Sequence, residues 1–151
     1  MLTESEARLI LFSCIEPADN FWSGEIFHTS ALAVLERVIN GKYYVKRPEF
    51  LDLQQNVAKS DLPSLRKELI DSSCTFLTPE DPDWPSGLND LLSPPIGLVI
   101  KGDRSTLKNL DKSISIVGSR KPTSYGYQIA KTLAMQAVKQ ELIVVSGGAY
   151  G

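Results

Sequence analysis

Two cysteines and one histidine in 151 residues close off several kinds of chemistry at once. Cys14 and Cys74 are separated by sixty positions, no Cys-x-x-Cys occurs, and His28 has no partner in sequence. Neither a metal site nor a disulfide framework is expected, and both thiols read as buried free cysteines of a reducing compartment. Long apolar runs are missing too. None approaches the roughly 20 residues that span a bilayer, and the opening Met1-Leu2-Thr3-Glu4-Ser5-Glu6 is acidic where a secretory signal is basic. The expectation is a cytoplasmic protein with no membrane partner. Positive charge is not in excess: 16 Lys and Arg stand against 18 Asp and Glu, for a net charge of −2. Contact with nucleic acid must therefore come from a local patch. Neither Gly-x-Gly-x-x-Gly nor Gly-x-x-x-x-Gly-Lys-Ser/Thr occurs, which removes the main support for dinucleotide and Walker-type nucleotide sites. No nucleophile–base pair, acidic dyad or metal cluster is placed by motif, so the chain is expected to be no enzyme and to use no cofactor.

What is present begins with a composition of 42% apolar and 23% charged residues, that of a globular chain with material for one core or two small ones. Thr3 and Glu6 have capping-box spacing, and Ala7, Ile10, Leu11 and Cys14 follow at helical intervals, so a helix should run to about Glu16-Pro17. Residues 18–29 hold Phe21, Trp22, Ile26 and Phe27 without clear period and read as loop or short helix with the aromatics turned inward. Thr29 or Ser30 caps a second run through Leu32, Leu35, Val38 and Ile39, which Asn40-Gly41 terminates. Pro48 suits the first turn of a third helix and Asp61-Leu62-Pro63 opens a fourth. Residues 1–71 thus predict a small all-helical domain. Cys74 to Leu77 reads as a strand, followed by a proline-rich stretch with a short helical turn at Leu88, Leu91 and Leu92, and by a strand from Ile96 to Ile100.

Residues 113–151 predict one β-α-β unit. Ile114, Ile116 and Val117 form a β-branched run that empties into Gly118-Ser119. The continuously apolar residues 142–145, as in a parallel strand covered on both faces, give way to Ser146-Gly147-Gly148. Both loops leave the carboxyl ends of neighbouring strands, the edge at which open α/β sheets bind ligands. Thr123 is placed to cap the linking helix, whose stripe Ile129, Ala130, Leu133, Ala134, Ala137 and Val138 is suited to packing on a sheet. Gly126 is unfavourable in a helix, so either the turn requires it or something approaches the backbone too closely for a Cβ. Arg120 and Lys121 set positive charge beside exposed amides, as in a phosphate site. The plainer alternative is an ordinary strand-to-helix turn with two solvated basic residues.

Ile-Val-Gly-Ser-Arg-x-Pro-Thr-x-Tyr-Gly followed by Val-Val-Ser-Gly-Gly-Ala-x-Gly resembles the DNA-processing protein A family (DprA/Smf). Trp84-Pro85-x-x-Leu88 and the stretch from Pro94-Pro95 to Lys101-Gly102 resemble the segment leading into that family's Rossmann-like domain, so the resemblance covers residues 76–151. It implies an α/β chain: a small N-terminal helical domain over 1–71, then the beginning of a Rossmann-like parallel-sheet domain over 72–151. The chain is expected to be truncated relative to the family, whose second loop continues into another helix and further strands. Two features depart from the pattern. No Gly-x-Gly-like turn of a helix-hairpin-helix occurs between residues 7 and 40, and Glu141 stands where the family has a glycine before the second core strand, so a different helix exit is expected there.

The resemblance further implies a protein that binds single-stranded DNA, protects incoming strands in natural transformation and helps place the RecA recombinase on them, with a homodimer among the assemblies of the full-length family. Gly118, Ser119, Arg120, Lys121, Thr123, Tyr125 and Gly126 would form one side of the phosphate pocket, and Ser146, Gly147 and Gly148 the other. Tyr125 would stack on a base or wall the pocket. The alternatives are a Rossmann-like enzyme that cleaves or transfers part of a nucleotide, which should add a positioned carboxylate, and a fragment with no independent activity.

Overall fold

Capping chemistry starts the first helix where the sequence places it. The computed structural model describes residues 1–16, 19–43 and 48–148, except for the side chains of 48 and 49. In it α1 spans Glu4–Phe12. Thr3 Oγ1 accepts the Glu6 N–H at 3.2 Å, and the Glu6 carboxylate accepts the Thr3 N–H at 2.6 Å. The Thr3 N–H on this carboxylate, then the Thr3 hydroxyl beside it, with the Arg66 guanidinium behind them, hold the Glu6 carboxyl below its ordinary range. The helix ends at Phe12, capped at Ser13, short of the Glu16-Pro17 end expected from the sequence; Pro17 itself lies outside the described residues.

Residues 18–29 resolve into helix α2, Asn20–His28, capped by the Asp19 carboxylate on the Trp22 N–H at 2.9 Å. Trp22 and Ile26 are buried one turn apart. Phe21 is 42% exposed, and Phe27, a further 100° round the helix from Ile26, is 67% exposed, so of the three aromatics expected to turn inward only Trp22 is buried. Ser30 caps α3, Ala31–Ile39, while the Glu4 carboxylate takes the Ala31 and Leu32 amides at 2.6 and 3.1 Å. Gly41 then ends α3 at φ +62°, with Lys42 N–H on the Arg37 carbonyl and Gly41 N–H on that of Val38. That is the Schellman pattern the Asn40-Gly41 pair predicts. Helices α4, Pro48–Lys59, and α5, Leu62–Asp71, follow, the latter capped by Asp61. One core joins α1 to α4 through Ala7, Leu11, Trp22, Val34, Leu35 and Leu53.

Strand β1, Cys74–Leu77, pairs antiparallel with β2, Leu98–Lys101, with Cys74 opposite Lys101 and Leu77 opposite Leu98. The chain divides into two compact units, Met1–Arg104 and Ser105–Gly151, so the first takes in this strand pair as well as the five helices. The reason lies in contacts far apart in sequence. The buried Arg8 donates to the Ile96 carbonyl at 3.2 Å and to Glu80 Oε1 at 2.8 Å. Phe12 meets Phe76 edge-on with ring centroids 5.3 Å apart, and Arg104 bonds Asp83. Cys14 and Cys74 are free thiols, but both are half-buried and not fully enclosed as expected.

A 3-10 stretch, Arg104–Lys112, with a kink at Asn109, begins at the end of the first unit and leads into β3, Ser113–Ser115, in the second. Helix α6, Ser124–Lys139, then crosses to β4, Ile143–Val145, which lies parallel to β3. The described residues thus form a mixed α/β chain, a helical part followed by a partial sheet part, with one antiparallel and one parallel pair of strands.

The exit of α6 corrects an expectation. Glu141 sits at φ +57°, so the helix ends through the left-handed residue that the sequence argued against. The Leu142 N–H reaches the Ala137 carbonyl at 3.0 Å and the Glu141 N–H that of Val138 at 3.0 Å, a full Schellman motif. Its bonds, and Ala137 buried at the turn, offset the roughly 1 kcal/mol that a Cβ costs in this conformation. Glu141→Gly should therefore raise stability by about 0.5–1 kcal/mol in urea denaturation. A loss of stability would contradict this account of the exit.

Candidate nucleic-acid interface

The parallel pairing of Ile114 with Val144 and Ser115 with Val145 brings two loops to one sheet edge. The ladder continues one residue beyond β3, where the Ile116 N–H meets the Val145 carbonyl at 2.9 Å, and the chain then leaves through Val117 and Gly118. β4 empties into Ser146 at the same end. A serine hydroxyl organises each loop. Ser119 Oγ accepts the Lys121 N–H at 3.1 Å, and Ser146 Oγ accepts the Gly148 N–H at 3.4 Å, with Gly148 at φ +61°. A hydroxyl that accepts from its own loop keeps its O–H to donate outward. Thr123 caps α6 on the Gly126 N–H at 3.1 Å, as predicted. The Ser124 and Tyr125 amides of the first turn have no partner among the described residues and remain available as donors.

A groove of about 750 Å³ runs between these loops and along α6. Seven of the ten residues singled out from sequence line it: Gly118, Ser119, Lys121, Thr123, Gly126, Ser146 and Gly147. Arg120, Tyr125 and Gly148 are exposed nearby in sequence but do not line it, Tyr125 being 77% exposed. The remainder of the Ser-Gly-Gly-Ala-x-Gly motif, residues 149–151, lies outside the described residues.

Gly126 is not crowded by its own chain. A Cβ built there would meet Thr123 Oγ1 at 3.5 Å and Pro122 Cβ at 3.9 Å, ordinary contact distances, and the backbone is helical. Nothing within 4 Å crowds a Cβ at Gly118 or Gly147 either, and none of the three has a positive φ. Of the two reasons for glycine at 126, a turn that requires it and a close approach from outside, the first has no support in this geometry.

The sequence reading missed the other side of the groove. Tyr127, Ile129 and Leu133 line it at 53, 41 and 49% exposure, although Ile129 and Leu133 were assigned to the sheet-packing stripe. The less exposed face of α6 is a row of small residues, Gly126, Ala130, Ala134 and Ala137, of which the first two also reach the groove and Ala137 alone is buried. Their four-, four- and three-residue spacing was the available signal. Charge was the other omission. The Ser105–Gly151 unit has six Lys or Arg against two Asp or Glu, hence +4, whereas Met1–Arg104 has ten against sixteen, hence −6. The positive charge that the net −2 conceals belongs to the unit with the groove.

The family model of DNA recombination-mediator protein A matches residues 75–151, just over half of the chain. The chain belongs to this family. Among curated members it is 37% identical over 78 residues to protein Smf of Synechocystis, a match covering 50% of this chain and 20% of that protein. It is 38% identical over 68 residues to the DNA processing protein DprA of Bacillus subtilis, covering 45% and 23%. With the putative DNA processing protein DprA of Mycobacterium tuberculosis it shares 33% over 87 residues, covering 50% and 22%. The matched segment thus spans about a fifth of the length of these DNA-processing relatives. No solved structure matches the chain. The family match takes in β1, β2 and the whole β-α-β unit, including every loop residue of the groove. Among the described residues no helix is long and apolar enough to cross a membrane.

Proposed function

We propose that this chain serves DNA processing by binding single-stranded DNA in the groove beside α6, as a binding protein and not as an enzyme. The carrying observation is the groove's lining: loop glycines, two outward-donating serines, Thr123 and Lys121, with no Asp or Glu among the described residues that line it. Phosphate diesters are uniformly anionic acceptors, and loops that offer donors without a carboxylate, in a +4 unit, fit them. The exposed Tyr125 offers a face on which an unpaired base can stack, and a duplex presents no such base. In the reading that follows from family membership, the bound strand is protected and passed to the RecA recombinase during natural transformation, with homodimers forming in the longer family proteins. The rival, a nucleotide-cleaving enzyme, needs a carboxylate beside the reacting atoms, and no observation on the groove favours it.

Salt dependence tests the assignment. Each single-strand phosphate contact contributes roughly 0.7 to the slope of log affinity against log salt. Arg120→Ala and Lys121→Ala should each weaken oligonucleotides of different sequence about equally and lower the slope by about that amount in anisotropy titrations. An unchanged slope in both variants would remove these two residues from the interface.

A further inference from the structure

We infer that the groove beside α6 also accepts one free nucleoside monophosphate, and that this small molecule competes with a DNA strand for the same place. The competition rests on the DNA reading above; the binding rests on the groove itself. At about 750 Å³ the groove falls within the roughly 300–1,000 Å³ of small-molecule sites, so a single nucleotide can occupy the place that part of a strand would take. Its lining divides along the chain. The loops and first turn of α6 supply hydroxyls, close-approach glycines and the Lys121 ammonium, while the second and third turns supply Tyr127, Ile129 and Leu133.

Gly126 and Leu133 are two turns apart, about 10 Å along the axis, so an amphipathic ligand is needed with an anion at one end and an apolar ring at the other. Lys121 is the one cationic side chain among the described lining residues, and no carboxylate there could hold a divalent ion. That balance suits a single phosphate and disfavours a di- or triphosphate, whose added charge ordinarily arrives with a carboxylate-held metal. No Asn, Gln, Asp or Glu lines the apolar part, so a base would be held by its faces and not read at its edges. Purine and pyrimidine monophosphates should therefore bind alike.

The test uses the full 151-residue chain, with calorimetry for AMP and TMP and displacement of a fluorescent oligonucleotide. Both nucleotides should bind and displace the strand. Adenosine and ribose 5-phosphate, each lacking one end, should bind at least about tenfold more weakly, and Leu133→Glu should weaken AMP by about tenfold or more. Leu133 is half exposed, so the fold should tolerate the change, and Ile129→Gln serves if melting shows that it does not. Ribose 5-phosphate binding as tightly as AMP would overturn the inference, as would AMP that neither binds nor displaces. In the latter case, continued oligonucleotide binding would leave the DNA reading standing. AMP binding in a chain that ignores oligonucleotides would instead uphold the nucleotide site and sink the DNA reading.

Discussion

Gly126→Val should weaken oligonucleotide binding by about a hundredfold or more, roughly 2.7 kcal/mol, while the melting temperature of the chain stays within a few degrees of the parent. The basis is the open space around this position. Its Cβ would sit no closer than 3.5 Å to any neighbour, so the chain itself does not exclude a side chain from the first turn of α6. Valine is also no worse than glycine in a helix, and alanine is better by up to about 1 kcal/mol. Gly126→Ala should accordingly raise stability slightly while still lowering affinity, a divergence that a purely structural glycine cannot produce. Thermal melts run beside binding curves for both variants decide the matter. Parallel losses of stability and affinity would assign Gly126 to the turn.

The second large effect lies in the other unit and concerns stability alone. Gly97 is buried just ahead of β2, and a Cβ there would lie 2.3 Å from Phe76 Cζ and 2.6 Å from Cε2. Real atoms do not approach so closely, and the ring cannot simply withdraw, because Phe12 packs edge-on against it. Gly97→Ala should cost about 2–3 kcal/mol, in the upper range for overpacking, with a fall in Tm of about 10 °C. Phe76→Leu, which removes the ring, should recover part of the loss in the double variant. The coupling between the two substitutions, read from urea denaturation, should exceed about 1 kcal/mol. A neutral Gly97→Ala, or strictly additive losses, would contradict the packing described for β1 and β2.

Much of the local structure was legible because caps and terminators act over a few residues. Thr3 with Glu6, Ser30, Asn40-Gly41, Asp61 and Thr123 each carry their hydrogen bonds within a turn or so, and each performs the role its position predicts. The parallel β-α-β unit was legible from its two abrupt strand ends. Features decided by distant partners were not. Arg8 reaches Glu80 and Ile96, 72 and 88 positions away, and no local pattern announces that the β1–β2 pair shares a unit with the helices. Along α6, apolar spacing alone could not tell the buried Ala137 from the larger Ile129 and Leu133 that line the groove. Glu141 shows the converse: a residue with poor intrinsic preference held in the left-handed conformation by backbone hydrogen bonds and the buried Ala137. Within the candidate site, the loop residues were visible as motifs, while the apolar side of the groove and the charge contrast between units emerged only with the fold.

The most direct measurement of the central claim is an amide-resolved NMR titration of the chain with a short single-stranded oligonucleotide. Gly118, Gly126 and Gly147 come from three separate points of the sequence and line one groove, so each reports on it independently. Their amide signals should shift together, saturate at one affinity, and respond far less to duplex DNA of the same sequence. Shifts confined to the Met1–Arg104 unit, or glycine signals unmoved at saturating strand, would show that DNA does not enter the groove.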